Sequence, residues 1–172
     1  MIGNSSAPSQ LSVVTSFRQI SGYRDNKMVI AKSAMNELRK VLPYSQLRFH
    51  CVKKQGRTFH VTTAANSSGN AVVEYFSGQT DVFPDSCGSF VRMADDNSRL
   101  AAVCHDWGYQ GGVFKVGKWG GRFKGFKVRL YDHAAFVEGA NHWVIRPSEP
   151  RFDCDDVHNG VSSGDFWKVF VR

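Results

Sequence analysis

Residues 47–63 read LRFHCVKKQGRTFHVTT, two runs of apolar and β-branched residues on either side of a polar connection that contains Gly56. Such runs are typical of β-strands, and a short connection with glycine between two of them is typical of a hairpin. The pattern predicts strands at Leu47–Val52 and Thr58–Thr63. A third strand at Ala71–Phe76, after a turn at Asn66–Asn70, would complete a small antiparallel sheet.

Two helices are expected to pack on this sheet. The first covers Asn26–Leu42, and the second covers Asn97–Tyr109 and carries the adjacent pair His105 and Asp106. Apolar residues recur in both at steps of three and four, the spacing of one helix face: Met28, Ala31, Met35, Leu38 and Leu42, and then Leu100, Val103, Cys104 and Trp107. The predicted fold class is therefore α+β, a small, mainly antiparallel sheet with an N-terminal amphipathic helix and a central His-Asp helix packed on it.

The rest of the chain is expected to form short elements. We predict a strand at Phe126–Leu130, a helix at Asp132–Asn141 and a closing strand at Phe166–Arg172, with Gly111–Gly125 as a mobile loop or a twisted hairpin. We expect Met1–Gln10 to be a flexible N-terminal arm, since it contains few residues that could pack. The 172 residues have the size of one domain. We place this single compact domain at residues 11–172 and its motif-bearing core at about 59–140.

The composition excludes some classes of protein. No apolar run approaches the roughly 18 residues of a transmembrane helix, and Met1–Leu11 lacks the pattern of a secretion signal, so we expect a soluble protein without a signal peptide. The four cysteines include no C-x-x-C pair, which argues against a zinc ribbon. Because a chain of this length can build a core without cross-links, we expect buried free thiols, with two disulfides as the alternative. The cysteines are Cys51, Cys87, Cys104 and Cys154.

The charge is uneven along the chain. There are 22 Lys and Arg against 15 Asp and Glu, a net charge of +7 that favours anionic partners. Gly111–Leu130 holds six of the cations and no acid, with aromatic residues between them, a pattern that can stack on sugars or bases and neutralise phosphates. A solvated hairpin with one aromatic face on the core is the alternative. The candidate substrate contacts are Lys115, Lys118, Trp119, Arg122 and Lys124.

The segment AAVCHDWGY, Ala101–Tyr109, brings an imidazole, a carboxylate and a phenol together. In the predicted helix His105 and Tyr109 share a face, and Asp106 flanks the same cleft. This arrangement suits a general base or a metal ligand with a hydrogen-bonding partner that orients it. The alternative is a helix in which the Ala and Trp residues pack while His105 and Asp106 are solvated.

A further carboxylate lies upstream in GQTDVFP, Gly78–Pro84, a loop that proline makes rigid. If this loop reaches the helix, Asp81, His105 and Asp106 supply the three protein ligands that a divalent metal ion needs. An Asx-type turn, in which Asp81 bonds to its own backbone, is the alternative.

Taken together, G-x-x-T-D-x-x-P (Gly78–Pro84), A-A-V-x-H-D-W-x-Y (Ala101–Tyr109) and D-x-x-x-F (Asp132–Phe136) resemble a small domain of unknown function that is common in phage and prophage genomes. The resemblance covers roughly Phe59–Ala140. It implies a phage or bacterial source, and it adds Asp132 to the candidate catalytic residues His105, Asp106, Tyr109 and Asp81. The basic Gly-rich stretch, the N-terminal helix and the acidic C-terminal end depart from the family pattern.

A narrower resemblance concerns His105-Asp106-x-x-Tyr109, which is similar to the H-D-x-x-Y helix of phospholipases A2. That resemblance implies esterolysis with calcium. The glycine-rich calcium loop and the paired cysteines of those enzymes are absent from the sequence. Asp153–Gly160 is rich in carboxylates but does not follow the EF-hand spacing, so we interpret it as a solvated turn. His50, His60, His133 and His142 have no evident partners in the sequence.

Two functional hypotheses follow. The first is a phage-associated hydrolase that acts on cell-envelope material, or another anionic polymer, through the His-Asp site, with a divalent metal ion of unknown identity as its candidate cofactor. The second is a non-enzymatic virion or assembly protein whose basic surface docks acidic virion neighbours. Nucleic acid is a less favoured partner. The expected location is the cytoplasm of the infected bacterial host or the phage virion.

Overall fold

The structure is a computed structural model that describes residues 11–25, 28–120, 129–146, 151–157 and 164–172. It has the expected α+β class, with short helices and mainly antiparallel sheets. The helices are α1 (Lys32–Val41), α2 (Ser67–Phe76) and α3 (Arg99–Ala102), with 3-10 helices at Phe17–Asp25 and Cys104–Asp106. The strands are β1 (Ser12–Val14), β2 (Met28–Ile30), β3 (Leu47–Val52), β4 (Thr58–Thr63), β5 (Phe90–Arg92), β6 (Tyr109–Gln110), β7 (Val113–Phe114), β8 (Ala135–Phe136), β9 (His142–Arg146), β10 (Arg151–Asp156) and β11 (Phe166–Val171).

The predicted hairpin is confirmed at both of its strands. β3 and β4 pair antiparallel with Val52 opposite Thr58, and the sheet extends to the order β11-β3-β4-β5. The amide of Lys53 donates to the carbonyl of Arg57 at 2.8 Å. Gly56 closes the turn with φ of 91°, a conformation that a residue with a Cβ rarely adopts. β11 also confirms the predicted closing strand.

The two faces of this sheet differ in composition. Phe49, Phe59 and Trp167 lie on the inner face and are almost fully buried. They join an aromatic core in which the Phe49 ring lies 5.1 Å from that of Trp119. His50 and His60 alternate with these residues and therefore lie on the outer face.

A second sheet, in the order β10-β9-β8, packs against the first and is joined to it covalently. The disulfide between Cys51 on β3 and Cys154 on β10 spans 103 residues, and a second disulfide joins Cys87 to Cys104. The prediction of free thiols is therefore wrong. Spacing along the chain carried no signal for these pairs, because folding brings together cysteines that lie far apart.

Two predicted elements at the edges of the hairpin also change. Ala71–Phe76 belongs to α2 rather than to a strand, because Asn66 caps a helix that begins at Ser67. The predicted helix at Asn26–Leu42 is confirmed for Lys32–Val41, whose buried face is Ala34, Met35 and Leu38. Met28–Ile30 before it forms β2, parallel to β1. Positions 26 and 27 lie outside the described residues.

The predicted His-Asp helix is much shorter than expected. α3 ends at Ala102, Val103 leaves the helical region with φ −118° and ψ 41°, and Tyr109 already belongs to a strand. The predicted helix at Asp132–Asn141 is replaced by β8 and a turn, since Asp132 and His133 have φ of 53° and 60°. Residues 121–128, which include most of the predicted strand at Phe126–Leu130, lie outside the described part.

The acidic C-terminal stretch is not a solvated turn where it is described. Asp153 and Asp155 are fully buried in β10. The Asp155 carboxylate accepts hydrogen bonds from the amides of Arg99 and Leu100 at 3.0 and 2.7 Å, so it caps α3 from outside the helix. Asp155 therefore has a structural role, since it joins β10 to the start of α3.

Within the described segments, no helix has both the length and the apolar character that a bilayer crossing requires.

Candidate metal centre

Two histidines form a cross-strand pair on the outer face of the main sheet. His50 on β3 lies directly opposite His60 on β4, and their rings stack with centroids 3.8 Å apart and planes 14° from parallel. Their side chains are only 16% and 11% exposed. Because the hairpin sets the register, the pairing of these rings is a direct consequence of the β3–β4 turn.

A tightly bonded turn after β5 brings a carboxylate to this pair. Asp95 Oδ1 lies 2.6 Å from His60 Nδ1, and Asp95 Oδ2 lies 3.8 Å from His50 Nε2. The neighbouring Asp96 is buried and accepts a 2.6 Å hydrogen bond from the amide of His60. Asn97 accepts another 2.6 Å bond from the amide of Thr58. Asp95 is thus held beside the rings by bonds on its C-terminal side.

The three side chains are close enough to share one ion. A ligand-type atom from each of His50, His60 and Asp95 lies within 4.8 Å of the others. Two imidazoles and one carboxylate are a donor set that suits Zn²⁺ and similar transition-metal ions, with a coordination position left open for water or a ligand. Among the described residues, His50, His60 and Asp95 are the group of three potential metal-ligating side chains whose ligand atoms lie within 4.8 Å of one another.

Two ring nitrogens in this cluster have no hydrogen-bond partner among the described residues. His50 Nε2 and His60 Nε2 are both buried and unbonded. A buried polar atom without a partner costs about 1–3 kcal/mol, so native proteins rarely leave one unsatisfied. His50 Nε2 lies 3.8 Å from Asp95 Oδ2, so an ion held between these two atoms would satisfy it.

The electrostatics of the cluster favour the neutral form of His50. Burial, and then the nearby His60 and the cations Lys168 and Arg48, lower the pKa of His50 to about 4, against the opposing pull of Asp95. The pKa of Asp95 is also lowered: burial acts to raise it, but the hydrogen bond with His60 and the neighbouring histidines outweigh that effect. A neutral imidazole and an ionised carboxylate are the forms that bind metal.

The predicted catalytic residues lie outside this cluster, and they differ in exposure. The side chain of His105 is 72% exposed, and its Nε2 lies 3.8 Å from Asp106 Oδ1. Asp106 also lies 3.7 Å from Lys115 Nζ. Tyr109 packs its ring 4.6 Å from that of Phe114. The helix break at Val103 removes the shared face on which the predicted site depended.

The predicted carboxylates have structural partners. Asp81 forms ion pairs with Lys32, at 3.3 Å, and with Arg129, whose guanidinium also lies 4.2 Å over the Tyr75 ring. Asp132 pairs with Arg146. Asp81, His105 and Asp106 are therefore not brought together as a metal site in the described structure.

The basic stretch is also partly structural. Lys118 forms an ion pair with Asp85, and Trp119 is only 1% exposed, with its Nε1 donating to Ser89 Oγ at 2.9 Å. Trp119 is therefore a core residue rather than a surface contact for substrate. Lys115 is described beside Asp106, whereas Arg122 and Lys124 lie outside the described residues.

The His50–His60 pair was missed in the sequence although its signal was present. Both strands were predicted with the correct bounds, and a hairpin that places Val52 opposite Thr58 also places His50 opposite His60. Asp95 had no comparable signal, because its approach depends on the path of the chain through α2 and β5.

Searches of family models, of curated proteins and of solved structures each found no match to this chain. The resemblance to the phage domain therefore stays a prediction from the sequence.

Proposed function

We propose that the protein binds a divalent transition-metal ion through His50, His60 and Asp95. The observation that carries this proposal is that one ligand-type atom from each of the three side chains lies within 4.8 Å of the others. His50 Nε2, which lies 3.8 Å from Asp95 Oδ2, is buried and has no hydrogen-bond partner among the described residues. The sheet supplies both histidines from adjacent strands, so little reorganisation of the backbone is needed. Preorganised ligands lose less conformational freedom when the ion binds.

The partly exposed carboxylate supports access from solvent. The side chain of Asp95 is 57% exposed, whereas the two rings are mostly covered. An ion can therefore enter from the Asp95 side and meet the rings behind it. The chemistry that such an ion supplies is the polarisation of a bound water or oxygen ligand. Hydrolysis of cell-envelope material stays a prediction. In that reaction, an ion at His50, His60 and Asp95 would replace the ion predicted at Asp81, His105 and Asp106.

The two disulfides bear on where the protein works. Disulfides persist in oxidising surroundings and are rare in reducing cytoplasm. Of the two expected locations, they favour a particle exposed to an oxidising medium over the host cytoplasm.

Calorimetric titration with Zn²⁺ tests the metal proposal. The wild-type protein is expected to bind one equivalent, and His50→Gln and His60→Gln are each expected to weaken binding by about tenfold or more, which corresponds to roughly 1.4 kcal/mol. Glutamine keeps much of the side-chain volume and removes the ring nitrogens. Thermal unfolding of each variant checks that it is folded.

His105→Gln is the matched control, because it removes an exposed imidazole from the site predicted from the sequence. Its affinity for Zn²⁺ is expected to equal that of the wild type. Loss of binding in His105→Gln, with normal binding in His50→Gln and His60→Gln, would contradict the proposal. It would favour the site predicted from the sequence at Asp81, His105 and Asp106.

A further inference from the structure

A cavity of about 510 Å³ lies on the other side of β11 from the metal cluster. Its lining, as far as the described residues form it, is almost wholly apolar, with Lys168 as the single charged residue. Its walls come from β11, from β2, from the helical segments around Ile20, Met35 and Leu38, and from Leu130 and Ile145. The volume falls in the range of ligand-binding clefts.

The pattern of lining residues shows which part of each strand borders the cavity. Five consecutive residues of β11, Trp167–Val171, line it, and so do three consecutive residues of β2, Met28–Ile30. Successive side chains of a strand point to opposite faces. If one face of a strand bordered the cavity, only every second residue would line it. Because consecutive residues line it, the cavity lies along the edge of each strand.

Both edges carry backbone groups that no other strand uses in the described structure. β11 pairs with β3 along one edge, and β2 pairs with β1 along one edge. Among the described residues, no backbone hydrogen bond joins the other edge of either strand to a neighbour. An open edge with apolar surroundings is a template for another strand.

We propose that this cavity binds an extended peptide segment of another protein, added as a strand at the edge of β11 and facing β2. In the bound peptide, apolar side chains are expected to alternate with smaller polar ones. The apolar side chains would face the lining residues Ile20, Leu38 and Val169, and the polar ones would point away from them. At roughly 3.3 Å per residue, the five lining residues of β11 match a peptide of about five residues. An acyl chain would fill the apolar space but would leave the backbone donors and acceptors of both edges unpaired. This inference does not depend on the metal site.

The test uses a blocked synthetic peptide of alternating valine and threonine with a terminal lysine at each end. Strand addition draws its affinity mainly from backbone hydrogen bonds, so a generic sequence of this pattern is a sufficient probe. We expect saturable binding in a fluorescence titration and slower hydrogen exchange at the amides of β11. The same peptide with N-methyl groups on alternate residues, placed in both possible registers, is expected to lose at least about tenfold in affinity.

The variant Ile30→Glu places a charge on the β2 wall and is expected to abolish peptide binding. Val113→Glu is its matched control, since Val113 is 59% exposed on β7 and lies outside the cavity lining. Equal binding of the N-methylated peptides would show apolar capture without strand addition and would overturn the proposal. So would binding of laurate but not of the peptide, or no binding of the peptide at about 1 mM.

Discussion

His50 shows how one residue acquires its chemistry from its position. A histidine on an isolated strand would titrate near its ordinary pKa of 6.5. Burial beneath neighbouring side chains, and then the pairing with His60 across the hairpin, lower that pKa to about 4. The main physical cause is burial, which penalises the charged form of the ring, and the neighbouring His60, Lys168 and Arg48 act in the same direction while Asp95 opposes them. His50 is therefore mainly neutral, and able to bind metal, at pH values above about 4.

This shift predicts a pH dependence of the free energy of unfolding. Between about pH 4 and pH 6.5 the unfolded chain binds a proton at His50 that the folded chain does not, so stability is lost as the pH falls through this range. The loss is expected to be about 3 kcal/mol, since a pKa difference of one between the folded and unfolded chains corresponds to about 1.4 kcal/mol. Urea titrations of the metal-free protein at several pH values measure it.

His50→Gln provides the control for that measurement, since it removes the titrating ring and leaves the carboxylates in place. Its stability is expected to fall less steeply than that of the wild type between pH 6.5 and pH 4. Identical pH profiles for the two proteins would show that His50 titrates normally.

Among the helices and strands, α2 shows why the local sequence pattern was not sufficient to predict secondary structure. The segment Ala71–Phe76 is rich in β-branched and aromatic residues and reads as a strand. The start of α2 decides otherwise, because the Asn66 side chain accepts a 2.9 Å hydrogen bond from the amide of Gly69. Gly69 itself lies against the preceding turn, where a Cβ would stand 1.9 Å from the carbonyl oxygen of Ala64. The helix depends on a residue with no side chain.

Gly69→Ala is therefore expected to destabilise the protein by about 2–3 kcal/mol, because the added methyl group meets backbone that cannot easily move. Gly22→Ala is the matched control: a Cβ there meets nothing within 4 Å, and the change is expected to stay within about 0.5 kcal/mol of the wild type. Chemical denaturation measures both. A Gly69→Ala protein as stable as the wild type would contradict the close approach.

In the molecule as a whole, the two disulfides link segments that are separated along the sequence. Cys51–Cys154 joins the two sheets across 103 residues, and Cys87–Cys104 closes a loop of 17 residues beside α3. A cross-link restricts the unfolded chain more when the loop it closes is longer. The long disulfide therefore contributes more to the stability of the fold.

Double variants, in which both cysteines of one disulfide are replaced by alanine, test which disulfide contributes more to stability. Removing Cys51–Cys154 is expected to lower the free energy of unfolding by about 5 kcal/mol, and removing Cys87–Cys104 by about 3 kcal/mol. Each double variant is compared with the wild type by urea unfolding. A greater loss for the shorter loop would contradict the argument from loop length.

The parts of the fold that were predictable are those that depend on nearby residues. The strands of the hairpin and β11 followed from alternation and turn residues. The disulfides, the buried Asp155 and the turn that carries Asp95 depend on contacts between distant segments, which a single sequence does not reveal. His105 and Asp106 looked functional because a continuous helix was assumed, and the break at Val103 removes that assumption.

X-ray absorption spectroscopy of the Zn²⁺-loaded protein tests the central claim most directly. We expect the spectrum to show two imidazole nitrogens at about 2.0–2.1 Å with oxygen ligands completing the shell, and one imidazole fewer in His60→Gln. A shell of oxygen ligands without imidazole, or a spectrum that His60→Gln leaves unchanged, would contradict metal binding by His50, His60 and Asp95.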